Sequence, residues 1–207
     1  MNAKYYQQAF EHLTNALKLN STLLAKIEET KQYHSHILTL LGRCYMEGGN
    51  ANDALKLLEK SLAMNKAILG EEDFSNCSIH SIMARVYIKK KMYKEAIQHL
   101  STVWEFCEVK FGMKSKETAR VFLELADAHD KNKEHEGAIE FQKRAFDTFK
   151  ELEDTDPDEL VQMAVKLGEM YINAGNIDAA ISAMRNVSIL FNSAGRESVF
   201  RCTRKRC

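Results

Sequence analysis

Leu41-Gly42-Arg43-Cys44-Tyr45 is followed by Glu47-Gly48-Gly49-Asn50 and then by Ala54-Leu55. This frame returns along the chain. Gly42, Ala84, Ala126 and Gly168 follow one another at intervals of 42 residues, and Leu41, Met83, Leu125 and Leu167 precede them. Three residues after each small residue stand Tyr45, Tyr87, His129 and Tyr171. Twelve residues after it stand Ala54, Ala96, Ala138 and Ala180, each followed directly by Leu55, Ile97, Ile139 or Ile181. A fixed period of this length is the signature of stacked structural units, each burying its apolar face against the next.

The spacing within one unit predicts two helices. Leu38, Leu41 and Tyr45 recur at three to four residues, which places them on one helical face. Glu47-Gly48-Gly49-Asn50 reads as a turn, because glycine takes the left-handed conformation that ends a helix. Ala54, Leu55, Leu58, Leu62 and Ile68 then continue at helical spacing to Gly70, and the next unit ends at Gly112. Asp156-Pro157-Asp158-Glu159 reads as an N-cap, a proline at the first helical position and a glutamate able to reach back. Ser75 and Ser115 are expected to cap the corresponding earlier helices. The small residue on the first helix and the alanine on the second let the two backbones approach. Enlarging such a site overpacks the contact at a cost of about 1–3 kcal/mol.

Composition agrees with helices and narrows the function. Hydrophobic residues make up 45% of the 207 residues, enough for a continuous core, and a single proline and nine glycines suit long helices. The 29 basic residues balance 29 acidic ones, so no net charge favours nucleic acid or an acidic membrane. The first ten residues are polar and carry no signal pattern, and no run approaches a membrane span. Cys44, Cys77, Cys107, Cys202 and Cys207 are odd in number and never form C-x-x-C, which reads as reduced thiols in a cytoplasmic protein.

The Leu-Gly-x-x-Tyr pattern, the following alanine and a large residue four positions on (Leu58, Leu100) resemble the tetratricopeptide repeat. Ile68-Leu69-Gly70 and Lys110-Phe111-Gly112 resemble the 42-residue variant of kinesin light chains, whose longer second helix ends before the next unit. Departures are His129 at a tyrosine position, Gln142 at the large-residue position and the absence of the repeat-ending proline. The resemblance implies an all-α, right-handed superhelical solenoid of antiparallel helix pairs. Its expected layout is a half-unit over 1–30, repeats over 34–70, 76–112, 118–153 and 157–193, and a basic tail over 194–207. Neither end carries an obvious polar cap, so the chain reads as a segment of a longer array, with a stub cap by Val199 and Phe200 as the rival.

No catalytic constellation is evident. His34 and His36 are two apart and diverge on a helix, and no H-E-x-x-H, phosphate loop or G-x-S-x-G occurs. His129 is expected to be a packed ring, and Cys44 and Cys77 small apolar groups. No enzyme activity, metal, cofactor or small-molecule substrate is expected. In the family that the chain resembles, partner segments lie against the first helices. The implied groove residues are His36, Thr39, Arg43 and Met46, then Ser78, Ser81, Arg85 and Ile88. Arg120, Leu123, Asp127 and Asp130 follow, then Gln162, Val165, Glu169 and Ile172. At one height the sign changes from Arg43 and Arg85 to Asp127 and Glu169, a pattern that would orient a partner segment. A chaperone-type carboxylate clamp does not fit, since neither register supplies its asparagine and Glu124 repels a carboxylate. The expected function is a protein-binding scaffold or adaptor, set by family analogy in a cytoskeletal or ciliary assembly. The alternative is homotypic assembly through open array ends.

Overall fold

A computed structural model describes residues 3–23, 29–152 and 155–185. All regular structure among them is helical. The helices are α1 (Ala3–Leu23), α2 (Glu29–Glu47), α3 (Ala51–Leu69), α4 (Ser75–Lys89), α5 (Tyr93–Phe111), α6 (Lys116–Lys131), α7 (His135–Glu151) and α8 (Pro157–Asn173). Residues 177–185 are helical as well and are labelled α9. The chain divides into two compact units, Met1–Lys110 and Phe111–Cys207.

In the first unit, α2 packs on α1 and α3, and α4 packs on α3 and touches α2. Its core joins Met46, Ala54, Leu55 and Leu58 to Ile79, Met83 and Val86, so the face of one hairpin is closed by the first helix of the next. In the second unit α7 packs on both α6 and α8. Phe146 and Phe149 meet Leu160 and Met163 at one end of that packing. Ala126, Ala138 and Met170 meet at the other.

The small residues stand at the helix crossings. A Cβ on Gly42 would lie 2.8 Å from Leu58 Cγ and 2.9 Å from Leu58 Cδ2. Ala84, Ala126, Ala54, Ala96 and Ala138 have no exposed surface. At Gln142, where Leu58 and Leu100 stand in the first unit, the amide is fully buried and its Nε2 donates to Met163 O at 3.2 Å. This ties α7 to α8 by a hydrogen bond where its counterparts use a branched alkyl group.

The turn inside each hairpin repeats atom for atom. Backbone N–H groups of Asn50, Met92, Glu134 and Asn176 donate to the carbonyls of Tyr45, Tyr87, His129 and Tyr171, all at 2.9 Å. The residue before each donor is left-handed: Gly49 (φ 85°), Lys91 (φ 60°), Lys133 (φ 62°) and Gly175 (φ 76°). Only two of the four are glycine, so the closed hairpin imposes this conformation on the lysines.

Two of the three expected caps form. Ser115 accepts from the Thr118 N–H at 3.2 Å, and Asp156 accepts from the Asp158 N–H at 3.1 Å with Pro157 at the helix start. Ser75 does not cap α4; it is the first helical residue. The Asp73 carboxylate instead accepts from the Ser75 N–H at 2.8 Å and from its hydroxyl. An acid two residues upstream makes the stronger, charge-assisted acceptor.

Candidate functional site

The first helices carry the residues that the repeat pattern assigns to a groove. His36, Arg43, Ser78, Arg85, Arg120, Gln162, Glu169 and Ile172 are exposed, and Ser81, Ile88, Leu123, Asp127, Asp130 and Val165 are half-buried. Thr39 and Met46 are not available to a partner: they are 7% and 1% exposed. Thr39 Oγ1 lies 2.7 Å from Ser61 Oγ, within a buried hydroxyl knot that also holds Ser35. Met46 belongs to the core that α4 closes. Met46, one turn beyond the small residue of α2, therefore points toward α4 rather than into a groove. Leu123 likewise packs against the core of Phe146 and Phe149.

In the first unit, α2 and α4 meet through charge. Glu47, at the end of α2, receives Arg85 Nη2 at 3.2 Å and Lys89 Nζ at 3.0 Å. The same Lys89 ammonium donates to Met46 O at 3.1 Å, satisfying a carbonyl at the negative end of the α2 dipole. Arg85 is thus shared between Glu47 and solvent. Arg43, at the equivalent height on α2, is exposed and has no ion pair among the described residues. In the second unit Lys166 of α8 forms an ion pair with Asp127 of α6. Glu169 is exposed and has no ion pair among the described residues. Among the described residues at that height, Arg43 and Glu169 are exposed and without an ion pair, one in each unit.

Sequence reading missed Glu47, Lys89 and Lys166. A usable signal was present: the ion-paired residues lie 38, 42 and 39 positions apart, close to one period. Opposite charges at such a separation face one another on successive first helices.

On the other side of the first unit, His80 and His99 bring their Nδ1 atoms to 2.9 Å, one ring donating and the other accepting. Tyr87 stacks on His99 with centroids 5.3 Å apart. Burial, then His99 and Lys66, lower the His80 pKa to about 4, and burial lowers His99 against the opposing pull of Glu59. Among the described residues no group of three His, Cys, Asp or Glu could hold a metal ion. His129 packs as a ring, stacked on Phe141 at 5.3 Å with Nδ1 2.7 Å from Glu134 Oε2. Gly137 makes room for it, since a Cβ there would lie 2.9 Å from His129 Nδ1. Cys77 and Cys107 are buried, and burial raises the Cys44 thiol despite Arg43 beside it. No helix among the described residues is long and apolar enough to cross a membrane.

A family model described as the tetratricopeptide repeat protein 21 ARM repeat matches residues 74–190, more than half of the chain, and a tetratricopeptide repeat model matches residues 33–105. The chain belongs to the tetratricopeptide repeat family. Solved structures agree on the fold. BtubC (BKLC) from P. vanneervenii superposes with a TM-score of 0.77 at 20% identity, covering 92% of this chain and 74% of that one. The TPR-like repeats of a putative kinesin light chain from Podosopora anserina give 0.68 at 19% identity, covering 94% and 95%. A secreted RxLR effector protein, RXLR-C07, of Plasmopara halstedii is 24% identical over 173 residues, 80% of this chain. The chain spans 51% of that relative's length. Tetratricopeptide arrays generally mediate protein–protein contact.

Proposed function

We propose that this tetratricopeptide array is a non-catalytic scaffold whose first helices hold an extended segment of a partner protein. The observation that carries this reading is the state of the charges on those helices. Among the described residues Arg43 is exposed and without an ion pair, while Arg85 is shared with Glu47, and Glu169 is exposed and without one, while Asp127 is neutralised by Lys166. Each unit is read by itself: the first offers its cation to an acidic group of a ligand, and the second offers its carboxylate to a basic one. Such charges choose and orient a ligand more than they add to its affinity. His36 and Ser78 supply hydrogen-bonding groups two helical turns before Arg43 and Arg85 on the same helices, and Gln162 stands two turns before Glu169 on α8. The 42-residue period shared with kinesin light chain repeats supports a cytoskeletal or ciliary setting as the place to look for the partner.

The test is affinity capture from cell extract with the wild-type chain and with Arg43→Glu/Arg85→Glu, followed by direct titration of each captured protein. A partner lost at least tenfold from the variant, with its circular dichroism unchanged, supports the reading. Partners that bind both proteins equally remove these arginines from the site.

A further inference from the structure

The His80–His99 pair lies apart from the residues assigned to the first-helix groove. His80 is on α4 and His99 on α5, and the hairpin brings their Nδ1 atoms to 2.9 Å. Two nitrogens bound to one ion at about 2.0 Å stand about 2.8 Å apart in a square plane and about 3.3 Å apart in a tetrahedron. The observed separation falls between these two values. Aromatic neighbours hold both rings. Tyr87 stacks on His99 with 12° between the planes, and Phe106 lies against His80 with centroids 6.4 Å apart. A pair positioned in this way does not have to be assembled by its ligand, which removes part of the ordering cost of binding.

Protonation and charge also suit a cation. Burial holds both rings below the ordinary histidine range, so near neutral pH they are uncharged and carry lone pairs. Glu59 of α3 acts on His99 and on Tyr87, and Glu95 of α5 acts on Tyr87. Lys66 of α3 opposes them at His80. The two carboxylates outnumber the ammonium around this row of rings, which favours positive charge there.

We infer that His80 and His99 bind one divalent ion of the zinc, nickel and copper series through their Nδ1 atoms, and that this ion staples α4 to α5. Imidazole nitrogen suits these ions, whereas magnesium and calcium take oxygen. The ring that donates in the hydrogen bond passes its proton from Nδ1 to Nε2. Both Nδ1 lone pairs then face the ion, and no net proton is released. Two protein ligands are fewer than the closed set of a structural zinc site, in keeping with the lack of any three-ligand group among the described residues. Water fills the remaining positions, and the ion exchanges with solution. The site is independent of the first-helix groove, so the failure of either reading leaves the other standing.

Zn²⁺ is the probe, because it is diamagnetic and does not oxidise the free thiols. It is titrated into the full chain near neutral pH while proton–nitrogen correlation spectra follow the histidine rings. The expected result is that the Nδ1 signals of His80 and His99 move together and saturate, and that the thermal midpoint rises with added Zn²⁺. His80→Phe keeps a flat ring at this position and should weaken binding at His99 at least tenfold, with its circular dichroism unchanged. His12→Ala, an exposed histidine on α1, should leave the His80 and His99 response as it is. Nδ1 signals that stay in place while zinc binds other residues overturn the inference on the wild-type chain alone. Equal zinc affinity at His99 in His80→Phe overturns it too, because one ring then suffices.

Discussion

Gly42 and Gly168 hold the same place in their repeats and face different neighbours. A Cβ at 42 would meet the branched Cγ of fully buried Leu58, which has nowhere to move, whereas at 168 it would meet the terminal Cε of Met184. Alanine gains about 1 kcal/mol of helix propensity at either site, and overpacking costs about 1–3 kcal/mol only where the neighbour cannot yield. Gly42→Ala should therefore lower the urea-unfolding free energy by about 1–2 kcal/mol, while Gly168→Ala leaves it unchanged or raises it. The four left-handed turn positions make a companion case. Lys133→Gly relieves a conformation that disfavours side chains and should stabilise by about 1 kcal/mol, again read by urea unfolding.

At the scale of elements, the hairpins are held by unlike contacts at like positions. Between α2 and α3, Ser61 Oγ donates to Ser35 O at 2.7 Å and lies 2.7 Å from Thr39 Oγ1. All three residues are buried, so Ser61→Ala strands polar groups and should cost about 1–3 kcal/mol in chemical denaturation. Gln142 offers the reverse experiment. Its Oε1 is buried without a hydrogen-bond partner, and its counterparts are Leu58 and Leu100. Gln142→Leu removes an unsatisfied carbonyl and restores the apolar contact, so thermal unfolding should move upward by the equivalent of about 1 kcal/mol. A fall in stability would show that the bond to Met163 O outweighs that benefit.

For the molecule as a whole, the His80–His99 contact makes stability depend on pH. Both rings have folded pKa values below the ordinary 6.5, His80 at about 4. Between those values the unfolded chain binds more protons than the folded one. The stabilisation is therefore complete above about pH 6.5 and is lost as pH falls toward 4. Denaturation midpoints should drop between pH 7 and 4.5. His80→Phe should flatten that fall, because no proton then has to be excluded at position 80, while buried His99 keeps its own smaller share. The charges on the first helices behave otherwise. Arg43→Glu sits on an exposed surface and should change stability by no more than about 0.5 kcal/mol, so any loss of partner binding reports recognition rather than unfolding.

Periodicity was enough to reveal the hairpin and the helix crossings, because a unit that repeats every 42 residues must reuse the same close approach and the same turn. Gly42, Ala84, Ala126 and their partner alanines carry that information one residue at a time. The burial of the expected groove positions was only half legible. Thr39 and Met46 share a helix with Arg43, yet they turn into a hydroxyl knot and an inter-hairpin core, and spacing along one helix does not say which neighbour covers which side. Likewise, no local signal distinguishes Arg43, which has no ion pair among the described residues, from Asp127, which Lys166 neutralises from 39 residues away. The sequence by itself determined the repeating unit, since local propensity and helical period act over a few residues. Only the tertiary structure decided which charges of the described residues are paired and which side chains are buried, since both depend on what the next hairpin brings against them.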